Sequence, residues 1–138
     1  MIKDSHLKFA ASDIGSNAVR LLLSGVFEEG YSPTFRKMSL IRMPIRLGDD
    51  AFTQQSISDS KVAQLVKTMI GFKQLMEAFQ PLDFMACATS AMREAVNGPE
   101  ICKRILEEAD IKIDYLNFAP KFPFTKFDTC IIDREHRE

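Results

Sequence analysis

Two short stretches carry the residue types that handle phosphate. The first is "DIGSN", Asp13 to Asn17, set between two apolar runs. A tight turn there can point several backbone N–H groups to one side, and Gly15 lets the backbone approach an anion with no Cβ in the way. Ser16 and Asn17 add side-chain donors, and Asp13 has the oxygen chemistry to hold a metal ion or orient a water beside the phosphate. The same pattern is also good turn chemistry, and taken alone the plain turn is the ordinary reading. The second stretch is "CATSAMREA", Cys87 to Ala95. An apolar strand runs into a helix that starts with Thr89 and Ser90, where open amides and the helix dipole favour an anion. Arg93, about one turn further on, has the fork geometry for bidentate contact with phosphate oxygens. Taken alone, an N-capping Ser90 and a solvated Arg93 are the ordinary reading of this stretch. Two anion-friendly loops at one end of a sheet weigh more than either does separately.

Other polar groupings carry less. Arg46 with Asp49 and Asp50 reads as an exposed charged loop. Arg36, Arg42 and Arg46 make a positive strip only if strand alternation keeps them on one face. Glu28 and Glu29 read as a hairpin tip, and Glu107 and Glu108 as a solvated helix end, so no carboxylate pair suited to acid–base work stands out. His6 and His136 lie near the termini, which argues against a Ser–His or Cys–His nucleophile. The three cysteines, Cys87, Cys102 and Cys130, lack metal-ligand spacing and fit a reducing compartment better than a disulfide framework.

The elements that must position these loops follow from the apolar pattern. With 138 residues, 46% hydrophobic and a net charge of -1, the chain suits one domain with a real core. The lack of a basic excess argues against a nucleic-acid surface. No signal-like or membrane-spanning stretch stands out, so the expectation is a soluble cytoplasmic protein without a membrane partner. Strands are predicted over Leu7–Ile14, Ala18–Phe27 and about Thr34–Arg46, as an antiparallel meander joined by the Gly15–Asn17 turn and a hairpin at Glu28–Gly30. Pro44 inside the third strand implies an edge or a bulge. Arg46–Gln55 is predicted to be a loop. A helix capped by Ser58 runs from Asp59 to Pro81, with Gly71 weakening it locally. A strand over Leu82–Ala88, a brief helix through Ala95, a helix restarting at Asn97–Pro99 and a strand over Ile111–Tyr115 complete the order. The fold class is therefore α/β: a mixed sheet of three antiparallel strands followed by strand–helix alternation.

The motifs "ASDIGSNAVRLLL", "RLGDD" and "ACATSAMREAVNG", in this order and spacing, resemble the start of the exopolyphosphatase/guanosine pentaphosphate phosphohydrolase family. The resemblance covers roughly residues 7–115. It implies a ribonuclease H-like domain, the first lobe of an actin-like ATPase pair, that hydrolyses phosphoanhydride bonds in inorganic polyphosphate or guanosine pentaphosphate, usually with Mg²⁺. By motif match, Asp13, Gly15, Ser16 and Asn17 belong to the first phosphate loop, Asp13 being the candidate metal ligand. Arg93 matches the substrate-binding arginine, with Ser90 beside it.

The departures are equally specific. The family follows the last strand with an S-G-x-E-E-A type segment whose glutamate activates water. Here "LNFAPKFPF" stands in that place, and no glutamate occurs between Glu108 and Glu135. The family's second phosphate loop, of D-I-G-G-G-S type, is absent as well. The expectation is a partial, incomplete phosphate-binding lobe over residues 1–115, followed by a divergent Phe-rich tail over 116–138, with little or no turnover alone. Two other readings are a non-catalytic interaction module or remnant whose tail promotes self-association, and a lobe of a kinase-like actin-superfamily protein.

Overall fold

A computed structural model describes residues 6–27 and 34–115. The hairpin at Glu28–Gly30 and the tail beyond Tyr115 lie outside the described residues. The sheet has five strands in the order β3-β2-β1-β4-β5. Strands β1 (His6–Ile14), β2 (Val19–Phe27) and β3 (Thr34–Met43) form the antiparallel meander. Strands β4 (Asp83–Ala88) and β5 (Asp114–Tyr115) run parallel to β1. The mixed α/β sheet expected from the residue pattern is the one observed.

Strand β2 is buried at alternating positions on both of its faces, and its near-continuous apolar run fits that burial. Leu21, Leu22, Leu23 and Val26 are all buried, as suits a strand covered on both sides. Strand β3 is an edge. Its register against β2 shifts between Leu23 and Ser24, where Leu23 faces Ser39 and Ser24 faces Lys37, so Met38 is the extra residue of a bulge. A bulge flanked by Arg36, Lys37 and Arg42 blunts an edge that would otherwise recruit another strand. Pro44 lies just past β3 rather than within it, because Pro cannot donate to the ladder. The chain turns tightly there, with the Ile45 N–H donating to the Met43 carbonyl at 3.0 Å.

The stretch Arg46–Gln55 is not a loop. It holds helix α1 (Leu47–Gln54), entered through Arg46 in the left-handed region at φ 57°. Leu47 and Ala51, four residues apart, bury one side, and Asp49 and Asp50 complement the positive helix start. Gly48 and the paired aspartates disguise this helix in the sequence. Helix α2 (Asp59–Phe79) buries Val62, Leu65, Val66, Met69, Phe72 and Met76. Ser58 stands at its N-cap position, yet its side chain makes no capping bond. The helix stops at Gln80, whose left-handed backbone returns its N–H to the Met76 carbonyl.

Helix α3 (Ser90–Glu94) follows β4 after a single residue, and α4 (Gly98–Ala109) carries Pro99 in its first turn. Helices α2 and α4 share one core with the inward residues Ala10, Ile14, Val19, Leu21, Leu23, Ala86 and Ala88. Strand β5 is shorter than the expected Ile111–Tyr115. Ile111 and Ile113 are buried, but only Asp114 and Tyr115 pair with β4. Cys87 and Cys102 are free thiols, and Cys87 is buried. No described helix is long and apolar enough to cross a membrane.

Candidate functional site

The parallel strands β1 and β4 end side by side, Asp13 opposite Cys87 and Ile14 opposite Ala88. In open α/β sheets this end, where strands give way to loops, is where ligands bind. The two candidate loops meet there. The Thr89 N–H donates to the Ile14 carbonyl at 3.2 Å. The hydroxyls of Ser16 and Ser90 lie 3.2 Å apart although 74 residues separate them in the chain. Helix α1 approaches from the other side, with the Gly48 N–H donating to the Ser16 carbonyl at 2.8 Å and the Arg46 N–H to the Asn17 carbonyl at 3.0 Å.

Within the first loop the Gly15 N–H is committed to closing the turn, donating to the Ala18 carbonyl at 3.0 Å. A Cβ at Gly15 would stand 3.1 Å from that carbonyl oxygen, so the close approach that requires glycine here is to the turn itself. Among the described residues nothing accepts the amides of Ser16 and Asn17. Asn17 is exposed. Ser90 is the first helical residue of α3, not its N-cap. Thr89 holds the N-cap position and makes no side-chain capping bond. Its hydroxyl instead donates to the Ile14 carbonyl at 3.4 Å. Arg93 shares α3 with Ser90 and is exposed.

Asp13 is buried at the end of β1. Its Oδ2 accepts a hydrogen bond from Nη2 of Arg20 at 2.8 Å, and its Oδ1 is buried with no hydrogen-bond partner. Antiparallel pairing sets Arg20 directly across from Asp13 on the same face of the sheet. A buried carboxylate oxygen without a donor costs free energy unless something fills the place. Mg²⁺ is commonly held by one or two carboxylates, several waters and the phosphates of its ligand. Asp13 Oδ1 fits that role as a single oxygen. Among the described residues no group of three or more His, Cys, Asp or Glu side chains forms a closed metal cage.

Four residues that matter here were not singled out for these roles in the sequence. Arg20 is hidden in an apolar run, and only the antiparallel register pairs it with Asp13. Gly48 touches Ser16 from a segment expected to be a loop. Asp50 is buried rather than exposed. Its Oδ2 accepts from the Ser58 N–H at 2.9 Å and its Oδ1 from Lys61 Nζ at 3.0 Å. The Ser58 bonds, then the Lys61 ammonium, hold its carboxyl down at about 2. Asn97, expected only to restart a helix, bonds through its side chain to the backbone of Ile57. The positive strip does not form from Arg36 and Arg42. The Met38 bulge lets Arg42 face Arg20 while Arg36 faces Gly25, an odd number of residues apart on β2 and so on opposite faces. Arg36 covers the Phe27 ring at 5.2 Å instead.

The model of the Ppx/GppA phosphatase family matches residues 28–117, well over half of the chain. The chain belongs to the Ppx/GppA phosphatase family. Exopolyphosphatase 1 of Mycobacterium leprae is 28% identical over 110 residues, 80% of this chain and 32% of that protein. The bifunctional 3-dehydroquinate synthase/phosphatase of Fusobacterium nucleatum is 26% identical over 127 residues, 84% of this chain and 19% of that protein. The chain thus spans about a third or less of these relatives. Among solved structures, the Aquifex aeolicus Ppx/GppA family member superposes with a TM-score of 0.74 at 21% identity, covering 80% of this chain and 35% of that one. That likeness shows that the described residues share the fold of the matched part of that structure.

Proposed function

We propose that this Ppx/GppA chain holds a phosphoanhydride substrate, inorganic polyphosphate or the phosphate arm of guanosine pentaphosphate, between the Asp13–Asn17 loop and the start of α3. The observation that carries the reading is the meeting of Ser16 and Ser90 hydroxyls at 3.2 Å. It brings the Ser16 and Ser90 hydroxyls together beside the loop that carries the Ser16 and Asn17 amides, and Arg93 stands three residues along α3 from Ser90. Asp13 would hold Mg²⁺ through its unpaired Oδ1, and the ion would offset phosphate charge. Holding phosphate and neutralising its charge are the main demands of phosphoryl transfer.

Turnover demands one thing more, a base to position and deprotonate the attacking water. Asp13 is engaged by Arg20 and faces the proposed cation, and the sequence offers no glutamate between Glu108 and Glu135. The chain by itself therefore binds phosphate but releases little. The test measures binding of, and phosphate release from, polyphosphate and guanosine pentaphosphate with Mg²⁺. Binding lost in Arg93→Ala or Ser16→Ala, with release near background, supports the reading. Absence of binding overturns it. Brisk release abolished by Arg93→Ala overturns the low-turnover part alone.

A further inference from the structure

The segment that carries helix α1 is bonded at its start to the first candidate loop and at its end to Val96, just past the second candidate stretch. At its start the Gly48 and Arg46 amides hold the Ser16 and Asn17 carbonyls at 2.8 and 3.0 Å. At its end the Val96 N–H donates to the Gln55 carbonyl at 2.8 Å. Two residues further, Asn97 grips Ile57 on both sides. The Ile57 N–H donates to Asn97 Oδ1 at 3.0 Å, and Asn97 Nδ2 donates to the Ile57 carbonyl at 2.8 Å. Val96 and Asn97 follow α3 after a single residue, Ala95. They are tied to it closely, since a Cβ on the next residue, Gly98, would fall 2.1 Å from the Met92 carbonyl oxygen.

The helix itself is well anchored. Leu47 and Ala51 are buried at 0% and 1% exposure. Lys61 on α2 donates both to Asp50 Oδ1 and to the Arg46 carbonyl, the latter at 2.9 Å. An eight-residue helix spans about 12 Å and does not stretch as a loop does.

We propose that α1 is a spacer that fixes the first phosphate loop relative to the segment bearing Ser90 and Arg93, and that Asn97 is the positioning residue that locks its far end. Asn suits this place because the grip needs one donor and one acceptor on a short side chain. The geometry stands on the bonds alone, while its consequence for ligand binding rests on the phosphate-site reading. Loops held in place before binding lose less freedom when phosphate arrives.

The test uses the whole chain, with inorganic tripolyphosphate plus Mg²⁺ as probe and amide-resolved NMR as a second readout. Asn97→Ala is examined at a temperature where the chain is folded. The expected result is a shift of the Ser16 and Asn17 amide signals before any ligand is added, and a dissociation constant raised about tenfold. If Asn97→Ala does not fold, Asn97→Asp keeps the acceptor for the Ile57 N–H, sets a carboxylate oxygen where the donor was, against the Ile57 carbonyl, and is read in the same way. Tight binding by the original chain with equal binding by the folded variant overturns the inference while the phosphate reading stands. If the original chain binds no tripolyphosphate, the phosphate reading fails. The spacer is then decided by the free-state signals: movement at Ser16 and Asn17 supports it and their constancy overturns it.

Discussion

Replacing Gly48 by Ala presses on the point where α1 meets the first loop. The new Cβ would lie 3.0 Å from Ser16 Cβ, 3.1 Å from Phe52 Cε2 and 3.2 Å from the Ser16 carbonyl oxygen. Carbon atoms rest comfortably at about 3.5–4.0 Å, so a few tenths of an ångström must be found at these contacts. Phe52 is 56% exposed and can swing away at small cost. Ser16 cannot, because its carbonyl accepts from Gly48 and its hydroxyl meets Ser90. The displacement therefore falls on the phosphate loop. Overpacking of this kind costs about 1–3 kcal/mol, and the better helix propensity of Ala returns at most about 1 kcal/mol. The net expectation is a loss of about 1–2 kcal/mol, a fall in Tm of roughly 3–6 °C for a chain of this size. Affinity for tripolyphosphate should fall by about tenfold or more, since sub-ångström errors at a binding loop are felt directly. Urea unfolding and calorimetric titration measure the two quantities. A variant with unchanged stability and unchanged affinity would refute the claim that Ser16 is held between α1 and α3.

Gly71→Ala in α2 is the contrasting case: a Cβ there meets no atom within 4 Å. Removing a flexible glycine from a helix interior should raise stability by about 0.5–1 kcal/mol, read as a higher urea midpoint. Asp50 titrates well below its ordinary 3.8, at about 2, because Ser58 and then Lys61 favour its charged form. A carboxylate with a lowered folded-state pKa adds stability above about pH 4 that is lost as pH falls toward 2. The stability difference between the original chain and Asp50→Asn should therefore be constant near neutrality and shrink between pH 4 and pH 2. In the presence of tripolyphosphate, Mn²⁺ substituted for Mg²⁺ should broaden NMR signals around Asp13 and Gly15, and Asp13→Asn should abolish that broadening. Broadening centred elsewhere would remove Asp13 from the metal role.

Much of this arrangement is readable in the residues because its signals are local. The apolar run of β2, the stripe of α2 from Val62 to Met76, and the Gly15 turn each depend on neighbours a few positions away. Both candidate loops follow from short motifs in the same way. What escaped depends on contacts distant in sequence. Leu47 and Ala51 are too few to announce α1, and the helix is stable because Asp50 reaches Ser58 and Lys61 and because Gly48 reaches back to Ser16. Asn97 looks like a simple helix start until the Ile57 backbone, 40 residues earlier, is brought beside it. Arg20 reads as an interruption in a buried strand, and only the register across from Asp13 gives it a partner. The separation of Arg36 from Arg42 depends on one bulged residue, which alternation alone cannot supply.

The central claim is that the Asp13–Asn17 loop and the start of α3 form a single phosphate-holding site. Titrating the whole chain with inorganic tripolyphosphate and Mg²⁺ while following each backbone amide and the Arg93 Nε–H tests it most directly. The account predicts that Ser16, Asn17, Ser90 and Arg93 signals move together, with one dissociation constant, and that raising the salt concentration weakens them in parallel. Movement confined to one loop, different constants for the two loops, or changes centred on another surface would contradict it.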